Sequence, residues 1–268
     1  MRSKTPTRNI VSAQNSRVKA LRRALSQAEL VEGLCAIDSE HLVREAAGSG
    51  LQIEAMFLSE SRFDRSQALL NDIEAEEILI VPDAVFKTLV STDAPQGIAA
   101  LVRAPQWDED AVLREQRGLA IVSAGIQDPG NFGTMVRSAE AFGVSAVISL
   151  SGTVSLWNAK TLRASAGSAF RLPVLEMRGD SIEVVEGLKR FGFTLLAADS
   201  RRGELAPATD FRKKTALFIG NEGAGVPKKI ADALDDFIRI PHLPTVESLN
   251  AGIAASLLLY EAFRQRHY

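Results

Sequence analysis

The sequence contains little cysteine and histidine and no long apolar run. Its single cysteine, Cys35, cannot form an intrachain disulfide, which excludes a disulfide-rich secreted scaffold and favours a reducing cytoplasm. Its three histidines are far apart, so no zinc site is indicated. No apolar run approaches the roughly 18 residues of a membrane span, and the basic first residues lack the apolar core of a signal peptide. We therefore expect a cytoplasmic protein with no metal site and no membrane association.

Aromatic residues are also scarce. They make up 6% of the 268 residues, whereas hydrophobic residues make up 46% and charged residues 24%. The hydrophobic and charged fractions are ordinary for a folded protein and exclude wholesale disorder, collagen and low-complexity classes. A chain of this length corresponds to about two domains.

The net charge of −2 hides a strong asymmetry along the chain. Residues 1–30 carry seven basic side chains and one acidic one, whereas residues 31–116 carry six basic and 17 acidic side chains. A basic arm joined to an acidic region indicates contact with nucleic acid through the arm. The same charge pattern also fits a solvated, disordered end of the chain, and charge alone leaves both interpretations open.

The hydrophobic pattern divides the chain into two α/β parts. Residues 1–103, with a basic arm over 1–25, alternate short helices and strands, and the polar segment 104–117 indicates a linker. In residues 118–268 strands alternate with helices, which predicts a mostly parallel sheet with helices on both faces. Ligands bind at the carboxyl ends of such strands, so the loops that follow strands are the candidate sites.

The first such loop spans residues 127–137 and follows the continuous apolar run Leu119–Ala124, which predicts a buried strand. Gly130 and Gly133 allow a close approach of a partner. A helix predicted over residues 134–142 would place Arg137 one turn from its amino-terminal end, where anions such as phosphate are favoured. An ordinary strand-to-helix turn with a surface arginine is the alternative.

The second loop, residues 218–227, contains three glycines directly after a predicted strand, so backbone rather than side chains lines it. One acidic residue, Glu222, lies among them. The loop lacks the Gly-Lys-Ser/Thr end of a P-loop, and Gly223 and Gly225 are not followed by the third glycine of a dinucleotide fingerprint. A plain flexible turn is the alternative.

The third loop, residues 240–250, is stiffened by Pro241 and Pro244. Ser248 is a plausible N-cap for a long helix predicted over residues 249–263, and Asn250 would then lie in its first turn. A capped helix start with no ligand is the alternative.

Together the three loops resemble, in order and spacing, the motifs of the SpoU (TrmH-like) family of RNA 2′-O-ribose methyltransferases in the SPOUT superfamily. The motifs are Asn131-x-Gly133-x-x-x-Arg137, Ile219-Gly220-Asn221-Glu222-Gly223-x-Gly225, and Ile240-Pro241 through Glu247-Ser248-Leu249-Asn250. The N-terminal half is similar to the substrate-binding domain of rRNA-directed members, through residues 14–19 and 40–46. Pro244 and Ser39 depart from the family pattern, since many members have glycine there.

The resemblance implies a C-terminal α/β domain with a deep trefoil knot, a homodimer formed through that domain, and S-adenosylmethionine as cofactor. It implies the catalytic residues Arg137, Asn131, Glu222, Ser248 and Asn250. It implies the cofactor-binding residues Gly220, Asn221, Gly225, Ile240, Pro241 and Leu249. The separate N-terminal domain favours rRNA, of the large subunit, as the substrate.

Several alternatives stay open at this stage. The substrate could be tRNA, and the protein could be a catalytically silent RNA-binding or ribosome assembly factor. A nucleotide-dependent dehydrogenase on a doubly wound sheet is disfavoured by the missing third glycine. Arg137 is the family's expected activator, yet the guanidinium of an arginine stays protonated in proteins and is a poor base. We therefore expect an electrostatic role for it.

Overall fold

The computed structural model describes residues 5–10, 14–90 and 94–268 of the chain. Within these residues the strands are β1 (Thr7–Asn9), β2 (Leu34–Ile37), β3 (Ile53–Ser59), β4 (Glu77–Val81), β5 (Ile98–Arg103), β6 (Leu119–Ala124), β7 (Ala146–Leu150), β8 (Val174–Met177), β9 (Thr194–Ala198), β10 (Glu204–Leu205), β11 (Thr215–Gly220) and β12 (Asp236–Arg239). The α-helices are α1 (Ser16–Gln27), α2 (Glu40–Gly48), α3 (Glu60–Phe63), α4 (Gln67–Asp72), α5 (Asp83–Lys87), α6 (Glu109–Leu113), α7 (Pro129–Ala141), α8 (Ala159–Ser165), α9 (Ser181–Arg190), α10 (Lys228–Ala231) and α11 (Ala251–His267). None of these helices is long and apolar enough to cross a lipid bilayer.

The first sheet has five strands in the order β1-β4-β3-β5-β2. Strands β1, β4 and β3 are parallel, and β5 runs antiparallel to β3 and β2. Helix α1 buries Val18 and Leu21 against this sheet, in a cluster that includes Phe57 and Phe86. Part of the basic arm is therefore a packed helix and not a disordered end. Arg2 and Lys4, which also belong to the basic arm predicted to contact RNA, lie outside the described residues.

Contacts divide the described chain into two units. One contains the described residues up to Pro105 together with Trp157–Phe170, and the other contains Gln106–Leu156 and Arg171–Tyr268. In the first unit, Arg163 Nη1 donates to both carboxylate oxygens of the buried Asp38, at 2.8 and 2.7 Å. This ion pair holds α8 against the residue that follows β2.

In the same unit, burial of Cys35 in β2 raises the pKa of its thiol to about 12, so the thiol stays protonated.

The second sheet has seven strands, all paired in parallel, in the order β10-β12-β9-β11-β6-β7-β8. All six residues of β6 are buried, and Val122 of this strand shares a core cluster with Phe218 of β11 and Ile148 of β7. A strand buried on both faces is a continuous apolar run, which explains why β6 has its predicted bounds. The predicted α/β architecture, a parallel sheet with a smaller α/β unit, is confirmed.

The parallel direction of the second sheet decides where its loops meet. The carboxyl ends of β6, β9, β11 and β12 lie at the same edge, because every pairing among neighbours is parallel. The three loops singled out in the sequence follow β6, β11 and β12, so all three emerge at this edge.

Helices α7 and α11, which start at this edge, differ from the sequence-based prediction. Helix α7 begins at Pro129 and not at residue 134, because Asp128 is its N-cap and accepts a hydrogen bond from the Asn131 amide at 2.8 Å. The prediction that Arg137 lies one turn into this helix is therefore wrong, since it lies more than two turns in. Helix α11 is capped by Asn250, whose Oδ1 accepts from the Ile253 amide at 3.2 Å. The prediction of Ser248 as the N-cap is wrong.

Candidate active site and cofactor cavity

One carboxylate oxygen joins the three loops. Glu222 Oε1 accepts hydrogen bonds from the Asn250 side-chain amide at 2.8 Å, from the Ala251 backbone amide at 3.4 Å, and from the Asn131 side-chain amide. Asn250 Nδ2 also donates to Asn131 Oδ1 at 2.9 Å. Asn131 follows β6, Glu222 follows β11, and Asn250 follows β12, so this cluster connects segments that are up to 119 residues apart.

Helix capping places two members of this cluster. Asn131 is the third residue of α7, and its position is set by the Asp128 cap. Asn250 caps α11 with its Oδ1 while its Nδ2 remains available for Glu222 and Asn131. The two helices also approach closely here, because a Cβ on Gly252 would lie 3.3 Å from Asn131 O and from Thr134 Cβ. A larger residue at position 252 would push the amino-terminal ends of α7 and α11 apart.

The glycine-rich loop after β11 closes on itself. Asn221 and Gly225 exchange backbone hydrogen bonds of 3.1 and 2.8 Å, and Asn221 Oδ1 accepts from the Gly223 amide at 3.0 Å. Gly225 has a φ of +67°, which L side chains rarely adopt. A Cβ on Gly220 would lie 2.0 Å from the Gly225 carbonyl carbon, which no side chain can tolerate. The loop therefore requires glycine at positions 220 and 225, and it presents backbone groups.

A cavity of about 500 Å³ lies beside this loop, within the second unit. Its apolar wall includes Ile219, Ile238, Ile240 and Leu249. Of the residues predicted to bind cofactor, those lining the cavity are Gly220, Asn221, Gly225, Ile240 and Leu249. Of the predicted catalytic residues, Glu222 and Ser248 line it, and Asn131 and Asn250 adjoin it through their bonds to Glu222.

Two predicted residues lie away from the cavity. Pro241 is exposed and does not line it. Arg137 lies six residues beyond Asn131, about 9 Å further along α7 at 1.5 Å per residue, and its side chain is exposed. Among the residues described, Arg137 has no ion-pair or hydrogen-bond partner. The structure therefore does not bring Arg137 to the cavity of its own chain.

The loop after β9 also lines the cavity, through Asp199, Ser200 and Arg201, and sequence reasoning missed it. The available signal was its position, since it follows a predicted strand of the same parallel sheet. Burial alone would raise the pKa of Asp199, but hydrogen bonds from the Arg201 and Arg202 amides and from the Arg202 guanidinium outweigh it and hold that pKa below its usual range. Asp199 is therefore anionic at neutral pH.

Comparison with known proteins agrees with this arrangement. The model of the SpoU rRNA Methylase family matches residues 118–260, and the model named RNA 2′-O ribose methyltransferase substrate binding matches residues 40–107. The 23S rRNA (guanosine(2553)-2′-O)-methyltransferase RlmP of Bacillus subtilis is 32% identical, over 94% of this chain and 98% of that protein. The chain belongs to the SpoU family. It is an RNA 2′-O-ribose methyltransferase.

Two further relatives extend the comparison. A putative TrmH family tRNA/rRNA methyltransferase of Staphylococcus aureus is 31% identical, over 86% of this chain and 96% of that protein. The crystal structure of the SpoU methyltransferase AviRb from Streptomyces viridochromogenes, in complex with the cofactor AdoMet, matches with a TM-score of 0.80 and 26% identity. That match covers 94% of this chain and 98% of AviRb.

The cavity suits S-adenosylmethionine, the methyl donor of this SpoU protein. Its volume falls within the roughly 300–1,000 Å³ of small-molecule sites. The aliphatic wall offers an apolar surface to an adenine ring, and the closed glycine loop offers backbone donors and acceptors to its polar edge. Carboxylates at Asp199 and Glu222 match the positive charge of a sulfonium.

We predict that Gly220→Ala destroys the donor site. Its Cβ would overlap the Gly225 backbone, so the loop must open, and the overpacking should lower the free energy of unfolding by about 1–3 kcal/mol. Calorimetric titration with S-adenosylmethionine should show at least a tenfold weaker affinity, with a lower melting temperature.

Gly223→Ala is the matched control in the same loop, because its Cβ would lie 3.7 Å from the nearest atom, Asn221 Oδ1. It should melt like the wild type, and because Gly223 itself lines the cavity, the melting temperature is the property for which it serves as control. Wild-type affinity and stability in Gly220→Ala would contradict the described closure of the loop.

Proposed function

We propose that this SpoU protein transfers the methyl group of S-adenosylmethionine to a ribose 2′-hydroxyl of large-subunit rRNA. The hydrogen-bond cluster around Glu222 carries the proposal, because it joins Asn131, Asn250 and the glycine loop at the edge of a cavity that suits the donor. The presence of all five predicted catalytic residues, Asn131, Arg137, Glu222, Ser248 and Asn250, argues against a catalytically silent assembly factor.

Two observations favour rRNA over tRNA as the substrate. RlmP, whose name specifies 23S rRNA, aligns over nearly the whole of both chains. The first unit contains nearly all of the residues that match the substrate-binding model, up to Pro105, so it offers a dedicated RNA-recognition domain. We assign residues 1–103 to this domain, 104–117 to the linker and 118–268 to the methyltransferase domain. The name of the S. aureus relatives covers both kinds of RNA, and tRNA remains the second candidate.

The first unit offers cations for phosphate contacts. Arg8, Lys19, Arg22 and Arg23 are exposed on β1 and α1. Arg17 has a different role, since its guanidinium pairs with Glu54 and Glu77 at 3.1 and 2.9 Å and holds α1 to the sheet. We propose that the exposed cations bind the RNA backbone and make the affinity dependent on salt.

In this reaction the ribose 2′-oxygen would form a bond to the methyl carbon as the methyl–sulfur bond breaks, which would leave S-adenosylhomocysteine and release the hydroxyl proton to solvent. The chain must orient the ribose and stabilise the negative charge that develops on its 2′-oxygen. We propose that Arg137 supplies this positive charge and holds an RNA phosphate, and that Asn131 and Asn250 orient the nucleotide or Arg137. Glu222 and Ser248 support the loops and the substrate.

A homodimer through the C-terminal domain accounts for the position of Arg137. Helix α11 exposes an apolar stripe of Ile253, Leu257 and Tyr260, which are 53%, 44% and 53% exposed. Arg137 faces solvent from α7, on the same face as Thr134, which lies against α11 at Gly252. We propose that a second copy covers this stripe. Arg137 would then border the interface and contribute to the active site of the second copy, although it does not reach the cavity of its own chain.

Two further features belong to this proposal. We propose that the C-terminal domain carries the deep trefoil knot of the SPOUT fold, in keeping with a sheet order in which sequence neighbours β11 and β12 are separated by β9. We also propose that the protein acts in the cytoplasm, where its RNA substrate would be available.

The substrate is tested with purified protein, labelled S-adenosylmethionine and separate preparations of 23S rRNA, 16S rRNA and tRNA. We expect label in 23S rRNA alone, released on digestion as one 2′-O-methylated nucleotide. Label in tRNA alone would contradict the rRNA assignment, and no transfer to any RNA would favour the silent assembly factor.

Arg137→Ala should lower the rate of methyl transfer by about 10²–10³-fold, the usual cost of losing one preorganised charge partner of a developing oxyanion. Because Arg137 does not line the cavity, the affinity for S-adenosylmethionine in calorimetric titration should change by no more than a few-fold. Arg190→Ala, which removes another exposed helical arginine of the same unit, should leave both quantities unchanged. Lost donor binding in Arg137→Ala would count against the electrostatic role.

Leu257→Asp should produce a monomer, because it places a charge in the apolar stripe that we assign to the dimer interface. Sedimentation velocity should show a dimer for the wild type and for Leu205→Asp, which alters a comparably exposed leucine on β10. A monomeric wild type, or a Leu257→Asp variant that remains dimeric, would refute the interface.

A further inference from the structure

An exposed ion pair stands at the mouth of the cavity. Arg201 Nη2 donates to Glu247 Oε1 at 2.7 Å, and both residues line the cavity. Their side chains are 77% and 81% exposed, so solvent screens the pair and it is weak. The pair joins the loop after β9 to the loop before α11, and neither residue belongs to the catalytic or cofactor set described above.

The charged groups of the cavity are otherwise committed. Asp199 accepts three hydrogen bonds from its own loop, and Glu222 Oε1 accepts three from the cluster that joins the loops. Among the described lining residues, Arg201 is the one permanently cationic side chain. Glu247 has Arg201 as its single ion-pair partner among the residues described. These two side chains are therefore the charged groups that can give up their mutual ion pair for contacts with a ligand.

The loop fixes the backbone of Arg201 and leaves its side chain free to reorient. Asp199 Oδ1 accepts from the Arg201 and Arg202 amides at 2.8 and 3.1 Å. The Arg202 guanidinium lies 3.6 Å above the centre of the Phe237 ring, which anchors the next residue of the loop. An arginine with a fixed origin and an exposed, weakly paired head is suited to change partner on binding.

We propose that Arg201 and Glu247 receive the amino-acid end of the methyl donor. This inference rests on the proposed function, because it requires the donor in the cavity. S-adenosylmethionine ends in an α-carboxylate and an α-ammonium group, which are complementary to a guanidinium and a carboxylate. On binding, the Arg201 guanidinium pairs with the α-carboxylate and the Glu247 carboxylate pairs with the α-ammonium group. All four charges therefore remain paired, and neither side chain is left buried without a partner.

The test compares two ligands that differ in this end. S-adenosylhomocysteine carries the amino acid, and 5′-methylthioadenosine has the same adenosyl thioether without it. In Arg201→Met we expect the affinity for S-adenosylhomocysteine to fall at least tenfold in calorimetric titration, with 5′-methylthioadenosine within twofold of the wild type. Glu247→Gln should show the same selectivity with a smaller loss, and Arg201→Lys should recover part of the affinity.

Arg212→Met is the matched control, because Arg212 is an equally exposed arginine that pairs with Asp210 and does not line the cavity. It should bind both ligands like the wild type. Equal losses for both ligands in Arg201→Met would show that Arg201 only shapes the loop, and unchanged affinities would show that it has no part in binding. If the wild type bound neither ligand, the proposed function itself would fail.

Discussion

The site depends on the hydrogen bonds that converge on Glu222. One oxygen of this carboxylate receives donors from the segments after β6 and β12, and the carboxylate itself comes from the loop after β11. Hydrogen bonds to a charged acceptor are stronger than neutral ones, so a single side chain can hold three otherwise independent loops in register. Without it, Asn131 and Asn250 would retain their helix positions but lose their common partner.

The parallel sheet makes this convergence possible. Because neighbouring strands run in the same direction, the chain leaves β6, β9, β11 and β12 at one edge and must build its loops there. The central strands β6 and β11 are buried along almost their whole length, so the loops extend from a packed base. The cavity then combines an aliphatic wall with backbone groups of a loop that only glycine allows to close.

Much of this arrangement could be predicted from the sequence, and the limits have physical causes. The strand Leu119–Ala124 was predicted with its observed bounds because burial on both faces produces an uninterrupted apolar run. The strands β2 and β8, each of four residues, were missed because so short a segment does not reveal the alternation of apolar and polar side chains that is typical of a strand. The starts of α7 and α11 were misplaced because each has more than one candidate cap nearby, and the capping bonds to Asp128 and Asn250 that distinguish the candidates are visible only in the structure.

The candidate site shows the same division. Glu222, Ser248 and most of the residues that the motifs predict to bind the cofactor line the cavity, since glycine and proline content reports on local backbone shape. Local patterns carry no information on long-range contacts, which explains why the Arg201–Glu247 pair was missed and why Arg137 was expected nearer to the cavity.

The most direct measurement is a crystal structure of the protein with S-adenosylhomocysteine. The account predicts the adenosyl group against Gly220, Ile240 and Leu249, with Glu222 still bonded to Asn131 and Asn250. Ligand density elsewhere on the protein, or a cluster around Glu222 that is broken in the complex, would contradict it.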